Sequence, residues 1–177
     1  MAYLLFVDVT LKVRTCTVVA VLVLLVACTK SNEEQSVSVP ADCQQFLDKY
    51  FGAWKSKDVG TLQAISYYLS PEERSRLPEG SVELWRQSKN ELVTQNFQRV
   101  TSLFGDFKDY KVLRLKTTAV SAQDQPAANM IGSGIHTELA CKARFSKKRD
   151  VQVGFHLIKE TEGSEYIAAA WNFQAVP

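Results

Sequence analysis

The residues best suited to hold a metal ion are two histidines and one glutamate in the C-terminal third of the chain. His136 and Glu138 are separated by one residue, so they share one face of a β-strand. His156 lies in the next stretch of alternating sequence, and two histidines with one carboxylate are a common ligand set for transition metals. The H-x-E spacing resembles that of zinc deaminases, but the P-C-x-x-C motif that completes their metal shell is absent. Polar residues on the solvated face of a sheet explain the same pattern, so we predict no metal and no cofactor.

Motifs for covalent catalysis or phosphate binding are also lacking. The chain contains no G-x-S-x-G and no C-x-x-C motif. The glycines of Gly132-Ser133-Gly134 form only a fragment of a phosphate-binding loop, and their place inside a predicted strand favours a β-bulge. Few ionisable side chains could serve an enzyme from within a cavity: Asp48, Tyr50, Tyr67, Tyr68, Asp106 and Asp109. Because core tyrosines usually pack and Asp48 falls off the apolar stripe of its helix, we predict no catalytic residue.

The remaining reactive groups are four cysteines, one of which ends the most apolar run of the chain. Residues 15–27 are uncharged, follow Lys12 and Arg14, and stop at Cys28. This run is shorter than the about 20 residues needed to span a membrane. A basic flank before a short apolar core is typical of a secretory signal peptide, with an uncleaved anchor as the alternative.

The last residues of that run, LVAC at positions 25–28, resemble the bacterial lipobox. In exported proteins with this motif the cysteine thiol is joined to a diacylglyceryl group, the signal is removed just before it, and the new amino terminus is acylated. The resemblance implies a signal peptide over residues 1–27 and lipidation of Cys28. It also implies a bacterial envelope location, at the outer membrane facing the periplasm because no aspartate follows the cysteine. Two or more acyl chains suffice for stable membrane anchoring.

The charge of the chain argues against nucleic acid as a partner. Removing residues 1–27 leaves 19 basic and 18 acidic residues of the original 21 and 19. Binding to phosphates is driven by clustered basic charge. The only dense basic run, residues 142–149, is typical of a strand with a solvated hairpin tip.

The elements that must position these groups begin after a polar tether over residues 28–40, which has no helical or strand period. Ala41 to about Lys57 carries apolar residues at helical spacing, with Cys43 on the apolar stripe. Capping and termination signals predict three further helices, which are Val59–Tyr68, a short helix that begins at the capping box of residues 70–73, and a long helix from about Ser81 to Phe104 that ends at Gly105.

Behind Gly105 the apolar period changes from helical to alternating, which predicts four strands: Tyr110–Val120, Asn129–Phe145, Asp150–Glu160 and Glu165–Ala175. Short connections make the sheet antiparallel, with one face packed on the helices in a single α+β domain over residues 41–177. Cys141 lies on the apolar face of the second strand, so it and Cys43 point into one core. We predict a disulfide between them, since export permits it. Two buried free thiols are the alternative.

Three short stretches, FGAW at 51–54, KDVGTL at 57–62 and EGSEYI at 162–167, together with this order of elements, resemble the nuclear-transport-factor-two-like superfamily. Its cystatin-like α+β cone, with which ketosteroid isomerase and scytalone dehydratase are grouped, is matched over Ala41–Gln174. The resemblance implies a curved sheet of about four strands with a concavity facing the long helix. It also implies one of two functions. The first, which we expect, is non-catalytic binding of a small apolar ligand or an envelope protein. The alternative is an isomerase-, dehydratase- or hydrolase-like enzyme that uses a cavity carboxylate or tyrosine. Relatives of this cone often dimerise through the outer sheet face, where Lys142 and Arg144 lie.

Overall fold

The computed structural model describes residues 37–121, 123, 132–148 and 150–175. The predicted signal peptide, the lipidation site Cys28 and the tether as far as residue 36 lie outside the described residues. No helix in the described ranges is both long enough and apolar enough to cross a membrane.

Four helices precede four strands, as the sequence predicts. The helices are α1 (Ala41–Ser56), α2 (Val59–Ala64), α3 (Pro71–Arg76) and α4 (Ser81–Phe104). The strands are β1 (Phe107–Val120), β2 (Gly134–Phe145), β3 (Val151–Lys159) and β4 (Ile167–Ala175). The strands form one antiparallel sheet in the order β1-β2-β3-β4. The predicted first residues of the second strand, 129–131, lie outside the described residues.

The predicted ends of three helices are confirmed by their capping geometry. Helix α1 buries its apolar stripe and ends at Lys57, which adopts a left-handed conformation with φ 62°. The capping box of α3 is present, because the Ser70 hydroxyl accepts from the backbone N–H of Glu73 and the Glu73 carboxylate accepts from the backbone N–H of Ser70. Helix α4 ends at Gly105, whose φ of 84° suits glycine.

Helix α2 is shorter than predicted, because it ends at Ala64 and not at Tyr68. The chain beyond it bonds to the first residues of β4. The backbone N–H of Ala168 donates to the carbonyl of Ile65 over 2.9 Å, and the N–H of Tyr68 donates to the carbonyl of Ala168 over 3.0 Å. Tyr67, between these bonds, has φ 62°. Pairing with β4 therefore replaces the last predicted turn of the helix.

Trp171 and Phe173 of β4 pack against the core as predicted, but the first residues of the strand differ from the prediction. The sequence pattern placed Ile167, Ala169, Trp171 and Phe173 on one apolar face. An irregularity in the pairing of β3 with β4 shifts the register, so that Leu157 pairs with Ala168. Ala168 is fully buried, while Ile167 pairs with Ile158 on the other side of the sheet. One extra residue in a strand reverses the faces of the residues on one side of it, which here are Ile167 and Ala168.

The core between the helices and the sheet is filled with aromatic rings. Tyr50 of α1 packs edge-on against Phe155 of β3 with ring centroids 4.8 Å apart, and Phe51 stacks on Tyr110 of β1 at 4.2 Å. Trp54 bridges to α4 by packing on Phe97 at 4.8 Å. These packed rings thus fill the space between the helices and the sheet, where the resemblance predicted a concavity.

Cys43 and Cys141 are both buried and both face this core, but they are free thiols and the predicted disulfide is not formed. Cys43 lies beside Tyr166 and Thr137, whose hydroxyls influence the pKa of its thiol. Cys141 lies four residues beyond Thr137 on β2, so the Cα atoms of these two residues are about 13 Å apart at the rise of a strand. A disulfide requires Cα atoms within about 7 Å. Both cysteines therefore point into the core, but Cys43 lies beside a different position along β2 from that of Cys141.

Candidate functional site

Pairing of β2 with β3 brings the two predicted histidines into contact. The Nδ1 atom of His136 lies 3.1 Å from the Nε2 atom of His156, and the Nε2 atom of His136 lies 3.0 Å from the carbonyl oxygen of Gly132. Because a carbonyl only accepts, neutral His136 carries its proton on Nε2 and accepts from His156 through Nδ1. Burial lowers the pKa of His136. His136 was predicted on the solvated face, but the residue is only 6% exposed.

Glu138 does not complete a metal site with these histidines. It is exposed, although it is the backbone partner of His156 in the sheet. Within the described residues, no group of three histidine, cysteine, aspartate or glutamate side chains is placed to hold a metal ion. The two histidines therefore form a hydrogen-bonded pair in this structure.

The glycines at 132 and 134 lie at the entry to β2, and the predicted bulge inside a strand is wrong. Gly132 has φ 80° and precedes the strand. A Cβ atom there would lie 2.8 Å from the Cβ of Ser70. The close approach lets the Gly132 carbonyl reach His136 and places this segment against the residues that begin α3.

The carboxylates considered for chemistry lie in surface ion pairs or in solvent. Asp106 bonds to Lys57 over 2.9 Å, and this bond holds the pKa of the Asp106 carboxyl below its usual value. Asp109 bonds to Arg144, with the same effect on its pKa. Asp48 is exposed, as predicted from its position off the stripe. These three carboxylates do not line an enclosed apolar cavity.

The outer face of the sheet holds the cations that the resemblance assigned to dimerisation. Lys142 bonds to Asp150 over 2.9 Å, and Arg144 bonds to Asp109. Both pairs are solvated, so each contributes little to stability. Dimerisation through this face stays a prediction.

Tyr50 is the most deeply buried of the tyrosines considered for chemistry. It is 1% exposed, and its hydroxyl has no hydrogen-bond partner in the part of the chain that the structure describes. Burial raises the pKa of Tyr50, and the nearby Trp54 indole opposes part of that rise, although the two groups fall short of hydrogen-bond geometry. The hydroxyl is enclosed by packed rings, so a substrate has no described route to it.

Tyr67 and Tyr68, by contrast, line an open cleft of about 410 Å³, which we call the lateral cleft. Its walls are α2, the segment 66–69, α3 and the first turns of α4, and its floor includes the facing ends of β3 and β4. A volume of this size is within the range of small-molecule sites. The side chains that the chemistry below depends on are Ser66, Tyr67, Arg74, Trp85, Lys89 and Glu160.

The lateral cleft combines cations with aromatic rings. The ammonium of Lys89 lies 4.9 Å from the ring centroid of Tyr67 and 5.8 Å from that of Trp85. Across the described ranges, neither Lys89 nor Arg74 has a carboxylate partner. The carboxylate that lines the cleft, Glu160, accepts from the Tyr68 hydroxyl over 2.9 Å. Glu160 keeps its charge in this bond, but Arg74 and Lys89 outnumber it, so the net charge of the cleft is positive.

Local contacts hold the walls of the lateral cleft in place. The side-chain amide of Gln63 in α2 donates to the Asn90 carbonyl and to the Thr94 hydroxyl in α4, over 3.3 and 3.1 Å. The bonds to Ala168 described above fix Tyr67 from both sides. The floor carries a polar atom without a partner among the described residues, because the Oγ of Ser66 is buried and unbonded. Ser66 as a whole is only 7% exposed.

The sequence predicted Tyr67 and Tyr68 only as residues of a possible enzyme cavity and did not single out Arg74, Trp85 or Lys89. These three lie on two helices, and Trp85 and Lys89 are four residues apart on α4, so they are neighbours on its surface. That spacing is the one local signal that could have indicated the site. Comparisons of the chain with protein-family models, curated proteins and solved structures gave no match.

Proposed function

We propose that this chain is a lipid-anchored bacterial envelope protein that acts as a non-catalytic binding module, with the lateral cleft as its binding site. The observation that carries the proposal is the cleft itself. It is open, of ligand size, and contains unpaired cations beside aromatic rings over a buried, unbonded hydroxyl. Sites for small molecules have this combination of apolar walls and a few polar groups.

The anchor is proposed from the sequence at residues 25–28, where LVAC follows an apolar run with a basic flank. Cys28 would carry the acyl chains, and the polar stretch after it would hold the domain away from the outer membrane. The nuclear-transport-factor-two-like cone is proposed from the resemblance together with the order of helices and antiparallel strands.

The non-catalytic role is supported by the surroundings of the ionisable groups considered for chemistry. Asp106 and Asp109 are engaged in surface ion pairs, and the Tyr50 hydroxyl is enclosed in aromatic packing. An enzyme of this kind needs an ionisable group that faces a cavity. Tyr67, Tyr68 and Glu160 do face the lateral cleft, but Tyr68 donates to Glu160 and the Lys89 ammonium lies over the Tyr67 ring, contacts that suit recognition of a ligand.

The anchor is tested by fractionating bacteria that produce the full-length chain. We expect the protein in the membrane fraction, with radiolabelled palmitate incorporated, and we expect Cys28→Ser to abolish the label. Cys16→Ser is the matched control and should keep it. Label retained by Cys28→Ser would overturn the proposed lipidation.

The binding function is tested with a set of ring-containing small molecules balanced among anionic, neutral and cationic members. Full-length protein labelled with ¹⁵N reports binding through the indole N–H signals of its tryptophans. We expect a subset of the compounds to shift the Trp85 signal while the core residue Trp54 is unaffected. If no compound shifts Trp85, the lateral cleft is not a binding site and the proposal is wrong.

A further inference from the structure

On the basis of the binding function proposed above, we infer that the lateral cleft selects small organic anions, in which a carboxylate or phosphate group is carried on a flat ring. The inference concerns the class of ligand and depends on charge, ring geometry and the polar floor of the cleft. Two of the residues involved are held by contacts described above, Tyr67 by the backbone bonds to Ala168 and Lys89 by the two rings beneath its ammonium.

The charge of the cleft favours an anion. Three cations line it, Arg74, Arg86 and Lys89, against the single carboxylate Glu160. Arg86 bonds to Glu83 over 2.8 Å, and Glu160 is engaged with Tyr68, which leaves Arg74 and Lys89 without carboxylate partners in the described part of the chain. Charge-assisted hydrogen bonds from arginine or lysine to a carboxylate or phosphate are stronger than neutral ones.

The rings of the cleft favour a flat body on that anion. Lys89 lies over the faces of Tyr67 and Trp85, so an anionic group bonded to its ammonium stands next to both rings. A flat ring attached to the anion can then pack on an aromatic side chain, and such pairs contribute about 0.5–1.5 kcal/mol beyond their buried area. An inorganic anion makes only the charged contacts.

The floor offers a hydrogen bond that the protein itself does not use. Ser66 is one of the residues that line the cleft and is 93% buried, and its hydroxyl has no partner within the described residues. A buried polar group without a partner destabilises the protein by about 1–3 kcal/mol. The Ser66 side chain would have to turn toward the cleft to bond an oxygen atom of a ligand, and that bond would then remove this penalty.

The inference is tested by titrating the full-length protein with matched probes and following the Trp85 indole signal. The probes are benzoate, phenyl phosphate, neutral benzyl alcohol, cationic benzylamine and inorganic phosphate. We expect benzoate or phenyl phosphate to bind at least about ten-fold more tightly than benzyl alcohol and benzylamine. The comparison of benzoate with phenyl phosphate distinguishes the two kinds of anion. Inorganic phosphate should bind more weakly than phenyl phosphate.

Charge-removing variants assign the selectivity to named residues. We expect Arg74→Gln and Lys89→Gln each to weaken the anionic probes by about five- to ten-fold and to leave benzyl alcohol unchanged. Arg76→Gln on the same helix as Arg74, and the exposed Lys55→Gln on α1, are matched controls that remove one charge outside the cleft. They should bind the probes like the unaltered protein.

The outcomes separate this inference from the binding function on which it rests. If benzyl alcohol binds at Trp85 as tightly as the anions, anion selection is wrong and the binding function stands. If inorganic phosphate binds as tightly as phenyl phosphate, the need for a flat ring is wrong. If no probe and no member of the broader compound set shifts Trp85, both proposals are wrong.

Discussion

Both ring nitrogens of His136 are engaged, one 3.1 Å from the Nε2 of His156 and the other 3.0 Å from the carbonyl oxygen of Gly132. With His136 neutral, each nitrogen has a suitable partner. A second proton on His136 would place N–H groups on both sides of the ring, and His156 would have to change tautomer to accept one of them. Burial already lowers the pKa of His136, so protonation opposes the folded state.

We predict that stability falls as the pH is lowered through the range in which histidine titrates. The unfolded chain has a histidine pKa of about 6.5 and binds a proton there before the folded protein does. The stabilisation is therefore complete above about pH 6.5 and is lost as the pH falls through the lower pKa of the folded state. Urea unfolding between about pH 7.5 and 5.5 measures it, and His136→Gln should flatten the dependence. The paired aspartates have pKa values below this window and do not contribute to it. A slope unchanged in His136→Gln would contradict the prediction.

Tyr50→Phe is predicted to leave the free energy of unfolding unchanged or to raise it by about 1–3 kcal/mol, because it removes a buried hydroxyl that has no partner in the described structure. Tyr166→Phe is the matched control. The Tyr166 hydroxyl is hydrogen-bonded to the Thr137 hydroxyl over 3.0 Å, so the same chemical change should lower the free energy of unfolding by about 0.5–1.5 kcal/mol. Urea denaturation of the two variants measures both values. Loss of more than about 1 kcal/mol in Tyr50→Phe would show that its hydroxyl is bonded.

Cys43 and Cys141 are predicted to be reduced and protected in the native protein. Burial raises the pKa of the Cys141 thiol to about 12 and also raises that of Cys43, so neither forms the reactive thiolate near neutral pH. Iodoacetamide should leave both unlabelled in native protein and label both after unfolding without reductant. Mass spectrometry of the two cysteine peptides gives the result. A single species in which the peptides are joined by a disulfide would refute the free-thiol assignment.

Gly132→Ala is predicted to lower the free energy of unfolding by at least about 1–3 kcal/mol, because φ at this position is 80° and the new methyl group would lie 2.8 Å from the Cβ of Ser70. Gly163→Ala, in the hairpin between β3 and β4, meets nothing within 4 Å and should change stability little. Thermal unfolding of both variants is the measurement. The Gly132 variant should also lose part of the pH dependence predicted for His136, since the carbonyl that accepts from that ring would move. Equal melting temperatures for the two variants would be inconsistent with the described backbone.

The parts of the fold that depend on neighbouring residues could be predicted from the sequence. The apolar stripe of α1, the capping box at Ser70 and the glycine that ends α4 are local patterns, and all three are present. The alternation of apolar residues likewise placed β1 to β3, to within a few residues at each end. Local periodicity predicted the buried face of α1, whose apolar residues are buried as expected.

The features that the sequence did not predict depend on how elements align with one another. The position of Cys43 along β2 relative to Cys141 is set by where α1 packs on the sheet. The periodicity of the sequence carries no information on that packing. The shift at Ala168 results from the pairing of β3 with β4, and the early end of α2 results from pairing across about 100 residues of chain. The lateral cleft was missed for the same reason, because its cations and rings come from separate elements.

The backbone of Tyr67 is strained, while its ring serves both the core and the lateral cleft. A left-handed φ of 62° disfavours any residue with a Cβ by about 1–2 kcal/mol, and glycine would relieve it. Glycine would also delete the aromatic wall on which Lys89 lies. Because the Tyr67 ring also packs on Trp171 and against the core, glycine would lose more in packing than it gains at the backbone. A directed-evolution library sorted only for heat resistance should therefore keep an aromatic residue at position 67, and with it the wall of the cleft.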